Sequence, residues 1–162
     1  MDGSYIISIV TFIYFFAAFF YCLSLAFHRR FVVIAALTLS LSGISIHTIA
    51  IILRWIRSYQ LGIGHAPLSN FYESLVFFSW AVMFVHLITM RRYRNDLIGI
   101  VASFFAFIML AYASLSGQVE YHIQPLVPAL QSNWLVSHVI SSFLAYACFA
   151  ISFGASVFYL IS

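Results

Sequence analysis

Histidines set within apolar stretches are the side chains most able to do chemistry in this sequence. Trp134, His138, Ser141, Ala145, Cys148, Ser152 and Ala155 recur at intervals of 4, 3, 4, 3, 4 and 3, which is one face of a helix. Small residues let helices approach closely in lipid, so this face is expected to point into a bundle, carrying His138 inward about one turn from the outer surface. Ala36, Ser40, Gly43, His47, Ala50 and Arg54 form a similar stripe. A neutral imidazole so placed has a lone pair for a haem iron. Arg54 or Arg57 could then make bidentate bonds to the propionates. The same residues have plainer uses. An intramembrane histidine also serves as a proton relay or as a packing contact bonded to a neighbouring helix, and two arginines flanking Trp55 have the pattern of snorkelling cations at a helix end.

Two polar loops lie between the apolar segments. The first, Leu61 to Leu75, contains Gly62, Gly64, His65 and Pro67 and then Asn70 with Glu73 three residues on, the spacing of a capping box that starts a helix. Asn70 and Glu73 are read as that cap or as part of a site, and His65 as a loop histidine. The second, Gly117 to Trp134, is kept non-helical by Pro125 and Pro128 up to a cap at Ser132 or Asn133. His28 and His86 read as interfacial, Cys22 and Cys148 as small packing residues, and Phe12, Phe15, Phe16, Phe19, Phe20 and Phe27 as facing lipid.

The elements that position these residues follow from composition. Of 162 residues, 64% are apolar and only 7% charged, and the mean hydropathy is +1.06. A water-soluble domain carries about 25% charged residues, so the chain is an all-α, polytopic transmembrane bundle. Five spans are expected at about 4–27, 31–53, 70–90, 97–116 and 133–162, in a single domain, since ~20 residues cross ~30 Å of hydrocarbon. The runs are too continuous for a β-barrel. Arg29, Arg30, Arg91, Arg92 and Arg94 fall in two short turns, against Arg54 and Arg57 at the opposite end. The positive-inside rule then puts those turns in the cytoplasm and the N-terminus and both longer loops outside. A formal charge of +3, scattered along the chain, gives no nucleic-acid surface. No charge follows Glu120. The last helix therefore lacks a cationic anchor, as expected of the N-terminal part of a longer protein.

The two loops carry a resemblance. Gly64-His65-Ala66-Pro67-Leu68-Ser69-Asn70-Phe71-Tyr72-Glu73-Ser74-Leu75 with Phe78-Ser79-Trp80, and Leu126-Val127-Pro128-Ala129-Leu130-Gln131-Ser132-Asn133-Trp134-Leu135 with His138-Val139 and Tyr146-Ala147, resemble segments of cytochrome c biogenesis proteins of the CcsA/ResC kind. The likeness covers the chain beyond about Arg54, and the first two helices agree only in general character. It implies a protein of the bacterial cytoplasmic membrane, or less readily of thylakoids, that works with a CcsB/ResB-type partner. Such proteins present haem b at the outer face for covalent attachment to the CxxCH motif of apocytochrome c. The thioethers come from the haem vinyl groups and the apocytochrome thiolates.

The resemblance also implies that His138 is the first of two outer axial ligands of the haem iron; Trp134, Arg54, His65, Asn70 and Glu73 are the further residues expected around the cofactor. The family's WxWD loop and second outer histidine have no counterpart in this sequence. This chain would be the front part of a holocytochrome c synthase (haem lyase), completed by a C-terminal half and a partner. Two other readings stand beside it. One is a haem- or quinone-binding subunit of an electron-transfer complex using His47 and His138, and the other is a packing subunit with no catalytic role.

Overall fold

A computed structural model describes residues 4–27, 29–93, 95–116, 122–123, 125 and 132–161. The described residues form five α-helices: α1 Ser4–Phe27, α2 Arg30–Gln60, α3 Phe71–Tyr93, α4 Asp96–Leu115 and α5 Asn133–Ile161. All five are long and apolar enough to cross a membrane. Hydrocarbon offers the backbone no hydrogen bonds, so long apolar runs satisfy their own amides as helices. Local sequence sets the helix starts. Asn95 Oδ1 accepts from the Leu97 amide at 2.9 Å and Ser132 Oγ from the Trp134 amide at 3.2 Å, each a side-chain N-cap. Of the two caps expected for the last helix, Ser132 serves. The expected positions of His28 and Arg94, and most of the second loop, lie outside the described residues.

α1 packs along α2 and α4, α3 along α4, and α5 against α3 and α4, while α2 and α3 meet more loosely. The buried face of α1 is Ile7, Val10, Tyr14, Ala17, Tyr21 and Ser24, while Phe12, Phe16, Phe19 and Phe27 are exposed as expected; Phe15 meets Phe107 of α4 at 5.2 Å, and Phe20, expected to face lipid, is partly buried against the cluster of Tyr21, Ala36 and Met90. Two glycines permit this packing. A Cβ at Gly43 would lie 2.6 Å from Tyr14 Cε1, and one at Gly99 would lie 2.7 Å from the Tyr21 ring. Each tyrosine therefore sits in a notch cut in a neighbouring helix. α5 docks through Phe143, whose ring lies 5.8 Å from those of both Phe77 and Phe78 on α3. It also uses Ala147, Ile151 and Gly154, the last close against Val101 of α4.

Four further expectations change. α2 does not end at 53 but continues to Gln60, because nothing from Arg54 to Gln60 breaks a helix until Gly62 turns the chain at φ 74°. The stripe of α5 from Trp134 to Ala155 faces away from the bundle, every member exposed. The opposite face of that helix docks instead. Cys22 and Cys148 lie on exposed faces and do not pack inside. His86 is not interfacial but wholly buried.

Candidate functional site

The end of the bundle bearing both long loops gathers most of the residues singled out from sequence. Arg54, near the far end of α2, donates from Nε to Glu73 Oε1 of α3 at 2.8 Å, and the two side chains are 9% and 1% exposed. The guanidinium also lies over the Tyr72 ring, 4.9 Å from its centroid, a cation–π contact. The second carboxylate oxygen, Oε2, accepts from the backbone amide and the hydroxyl of Ser69, both at 2.8 Å. Asn70 Oδ1 accepts from the Glu73 amide at 2.8 Å. The capping box is therefore present but shifted by one residue, since Glu73 reaches back to Ser69 and not to the N-cap itself. Glu73 thus both starts α3 and neutralises a buried arginine.

Asn70 also joins the two loops, its Nδ2 donating to the His122 carbonyl at 3.1 Å. The first loop folds back over the end of α2. The His65 amide donates to Ser58 Oγ at 3.2 Å, and Gly62 and Gly64 adopt φ of 74° and 68°, conformations that favour glycine. His65 Nδ1 donates to the Ala66 carbonyl at 2.8 Å. A carbonyl only accepts, so a neutral His65 carries its lone pair on Nε2. Arg54, Glu73 and Asn70 thus come together at the loop end, with His65 on the same loop held to Ser58 of α2.

Deeper in the bundle two tyrosine–histidine pairs occur that sequence reasoning missed as pairs. Tyr14 Oη lies 3.2 Å from His47 Nδ1, and Tyr21 Oη 3.0 Å from His86 Nε2; all four side chains are fully buried. His47 Nε2 and His86 Nδ1 have no hydrogen-bond partner among the described residues. At the arginine-rich end, Ser24 Oγ donates to Asp96 Oδ2 at 2.8 Å. The detectable signal was on α1: hydroxyl-bearing Tyr14 and Tyr21 fall on the small-residue face and the phenylalanines on the other. Tyr14→Phe is expected to cost about 1–3 kcal/mol, because it strips His47 of its hydroxyl partner inside a dry interface. Equilibrium unfolding in detergent micelles measures it, and a cost below about 0.5 kcal/mol would show that water reaches the imidazole.

His138 stands apart from these groups. It lies on the exposed face of α5, one turn from Trp134, which is 85% exposed at the start of that helix. The stripe of α2 is buried as expected, with His47 between α1 and α2. His47 and His138 therefore occupy different environments and do not face one another as a ligand pair would. Among the described residues no three His, Cys, Asp or Glu side chains cluster as a metal site would require. An exposed imidazole beside an exposed indole can offer one ligand and one flat apolar wall to a planar cofactor, whose other side something else must cover.

Residues 68–162 match the sequence profile of the family described as "Cytochrome C assembly protein". The chain is similar to the cytochrome c biogenesis protein CcsA of Pyropia yezoensis, 40% identical over 127 residues, covering 78% of this chain and 35% of that protein. It is similar to CcsA of Rippkaea orientalis, 38% identical over 129 residues, 76% of this chain and 36% of the relative. To CcsA of Phalaenopsis aphrodite it is 46% identical over 100 residues, 60% and 29% of the two chains. The chain spans about a third of the length of these curated relatives.

Proposed function

The chain belongs to the cytochrome c assembly protein family, and from that premise we propose that it acts in cytochrome c biogenesis as a multi-pass membrane protein. Its part is to hold haem b at the loop end of the bundle for attachment to apocytochrome c. His138 supplies one axial ligand to the iron and Trp134 an apolar wall. The cofactor is cargo here, and its vinyl groups form the thioethers with the apocytochrome thiolates.

What this chain's own residues do is narrower. The imidazole of His138 binds, the Arg54–Glu73 pair holds the first loop against α3, and Asn70 ties that loop to the second. Arg57, exposed on the turn above Arg54 with Nη1 donating to Gln60 Oε1 at 3.3 Å, is the arginine placed to meet a propionate, a role that Arg54 gives up to Glu73. A CcsB/ResB-type partner, a segment with a WxWD loop and the second axial histidine complete the site in this reading. The loop end then faces outward across the cytoplasmic membrane of a bacterium.

The observation that carries the reading is the exposure of His138 and Trp134 on one unpartnered helix face, inside the segment that matches the family. The test is optical, on the chain assembled with its partners. His138→Ala is expected to lower bound haem at least tenfold and to shift the absorption bands of the remainder, with added imidazole restoring the spectrum. Its exposed position makes the stability change small, about 0.5 kcal/mol or less. A spectrum unchanged by the substitution would overturn the assignment.

A further inference from the structure

The loose contact between α2 and α3 leaves an elongated cleft of about 910 Å³ that the loop-end site does not use. Its walls include Ile34, Leu37 and Leu41 of α2 and Phe84, Leu87 and Ile88 of α3. Thr48 and Trp80 close its deep end, the indole Nε1 donating to Thr48 Oγ1 at 2.9 Å. At the other end stand Arg30 and Arg91, both exposed, with Asp96. Asp96 is held by Ser24, and among the described residues neither arginine forms an ion pair, that of Arg54 with Glu73 being elsewhere. The mouth therefore carries one net positive charge at the end of a long apolar trough. From Thr48 to Arg30 the trough runs about 27 Å at ~1.5 Å per residue, more than the ~15 Å of one hydrocarbon leaflet.

We propose that this cleft binds an anionic phospholipid from the leaflet on the arginine-rich side, its acyl chain along the apolar walls and its phosphate between Arg30 and Arg91. Guanidinium groups pair with phosphate oxygens by charge-assisted, bidentate bonds, and basic pockets between membrane helices select anionic headgroups. Haem is the other anionic amphiphile to weigh, and the lining disfavours it. Among the described residues no histidine or cysteine lines the cleft, and His86 on the same helix is buried against Tyr21. A bound lipid would also supply the packing that α2 and α3 lack between themselves.

Native mass spectrometry of the chain extracted from vesicles of equal parts phosphatidylglycerol and phosphatidylcholine tests this. Phosphatidylglycerol is expected to be retained at least fivefold over phosphatidylcholine. Arg30→Gln with Arg91→Gln should abolish the preference, and Arg30→Lys with Arg91→Lys should keep most of it. Arg92→Gln, which leaves the cleft lining intact, should change it little. Circular dichroism of each variant establishes that the helices persist, and a variant that loses them is replaced by Ile34→Trp, which fills the trough and should expel lipid of either headgroup. Equal retention of the two lipids overturns the proposal. So does an equal loss in Arg92→Gln, or haem recovered in place of lipid and lost with the same arginines.

Discussion

Glu73→Ala should destabilise the bundle by about 3–5 kcal/mol, the cost of leaving a buried arginine without its counter-ion. Three separate consequences follow from that one truncation. Arg54, 9% exposed, loses the carboxylate 2.8 Å from its Nε, and Ser69 loses the acceptor of both its amide and its hydroxyl. α3 also loses the acid in its first turn, where a negative charge complements the helix dipole. The pair is not expected to be a net source of stability, since desolvating two charges offsets much of their attraction. Arg54→Met combined with Glu73→Leu should therefore recover most of the loss, leaving about 1 kcal/mol for the missing cap. Unfolding of the wild type, both single variants and the double variant in one detergent decides the point. If Glu73→Ala costs no more than a surface substitution, the carboxylate is hydrated and the loop does not seal it.

Gly99→Val should be about as damaging, by a steric route. Atoms of the Tyr21 ring stand 2.7 Å from where a Cβ would be built, and that ring has no exposed surface to move into. Overpacking of this kind costs about 1–3 kcal/mol. If the ring is pushed aside, the 3.0 Å bond to His86 breaks, adding a buried unsatisfied imidazole worth about 1–3 kcal/mol more. Tyr21→Leu in the same chain should relieve the clash and leave only the second contribution. A double variant no better than Gly99→Val alone would mean that the glycine is required by α4 itself and not by the tyrosine.

How far the fold could be read from sequence depended on whether a local rule decided the outcome. The Asn70 cap was legible because its partner is three residues away, and the burial of Ala36, Ser40, Gly43, His47, Ala50 and Arg54 because a long helix keeps one face. α5 defeated the same rule. Lipid is as apolar as a protein core, so small residues mark a close approach without saying to what; on α5 the face with Phe143, Ala147, Ile151 and Gly154 docks and the stripe with His138 is left outside. The Arg54–Glu73 pair was hidden because its members stand 19 positions apart on two different helices, where no local spacing rule joins them. His86 looked interfacial because its partner Tyr21 lies 65 positions away in sequence.

The length of α2 couples the loop end to the membrane itself. Thirty-one residues rise about 46 Å, some 16 Å more than a typical hydrocarbon layer requires. A span too long for its bilayer must tilt or project, and Arg54 lies about 36 Å along α2 from Arg30 by the same rise. α2 therefore either carries the Arg54–Glu73 pair and the loop it holds beyond the hydrocarbon, or tilts to bring them back to its edge.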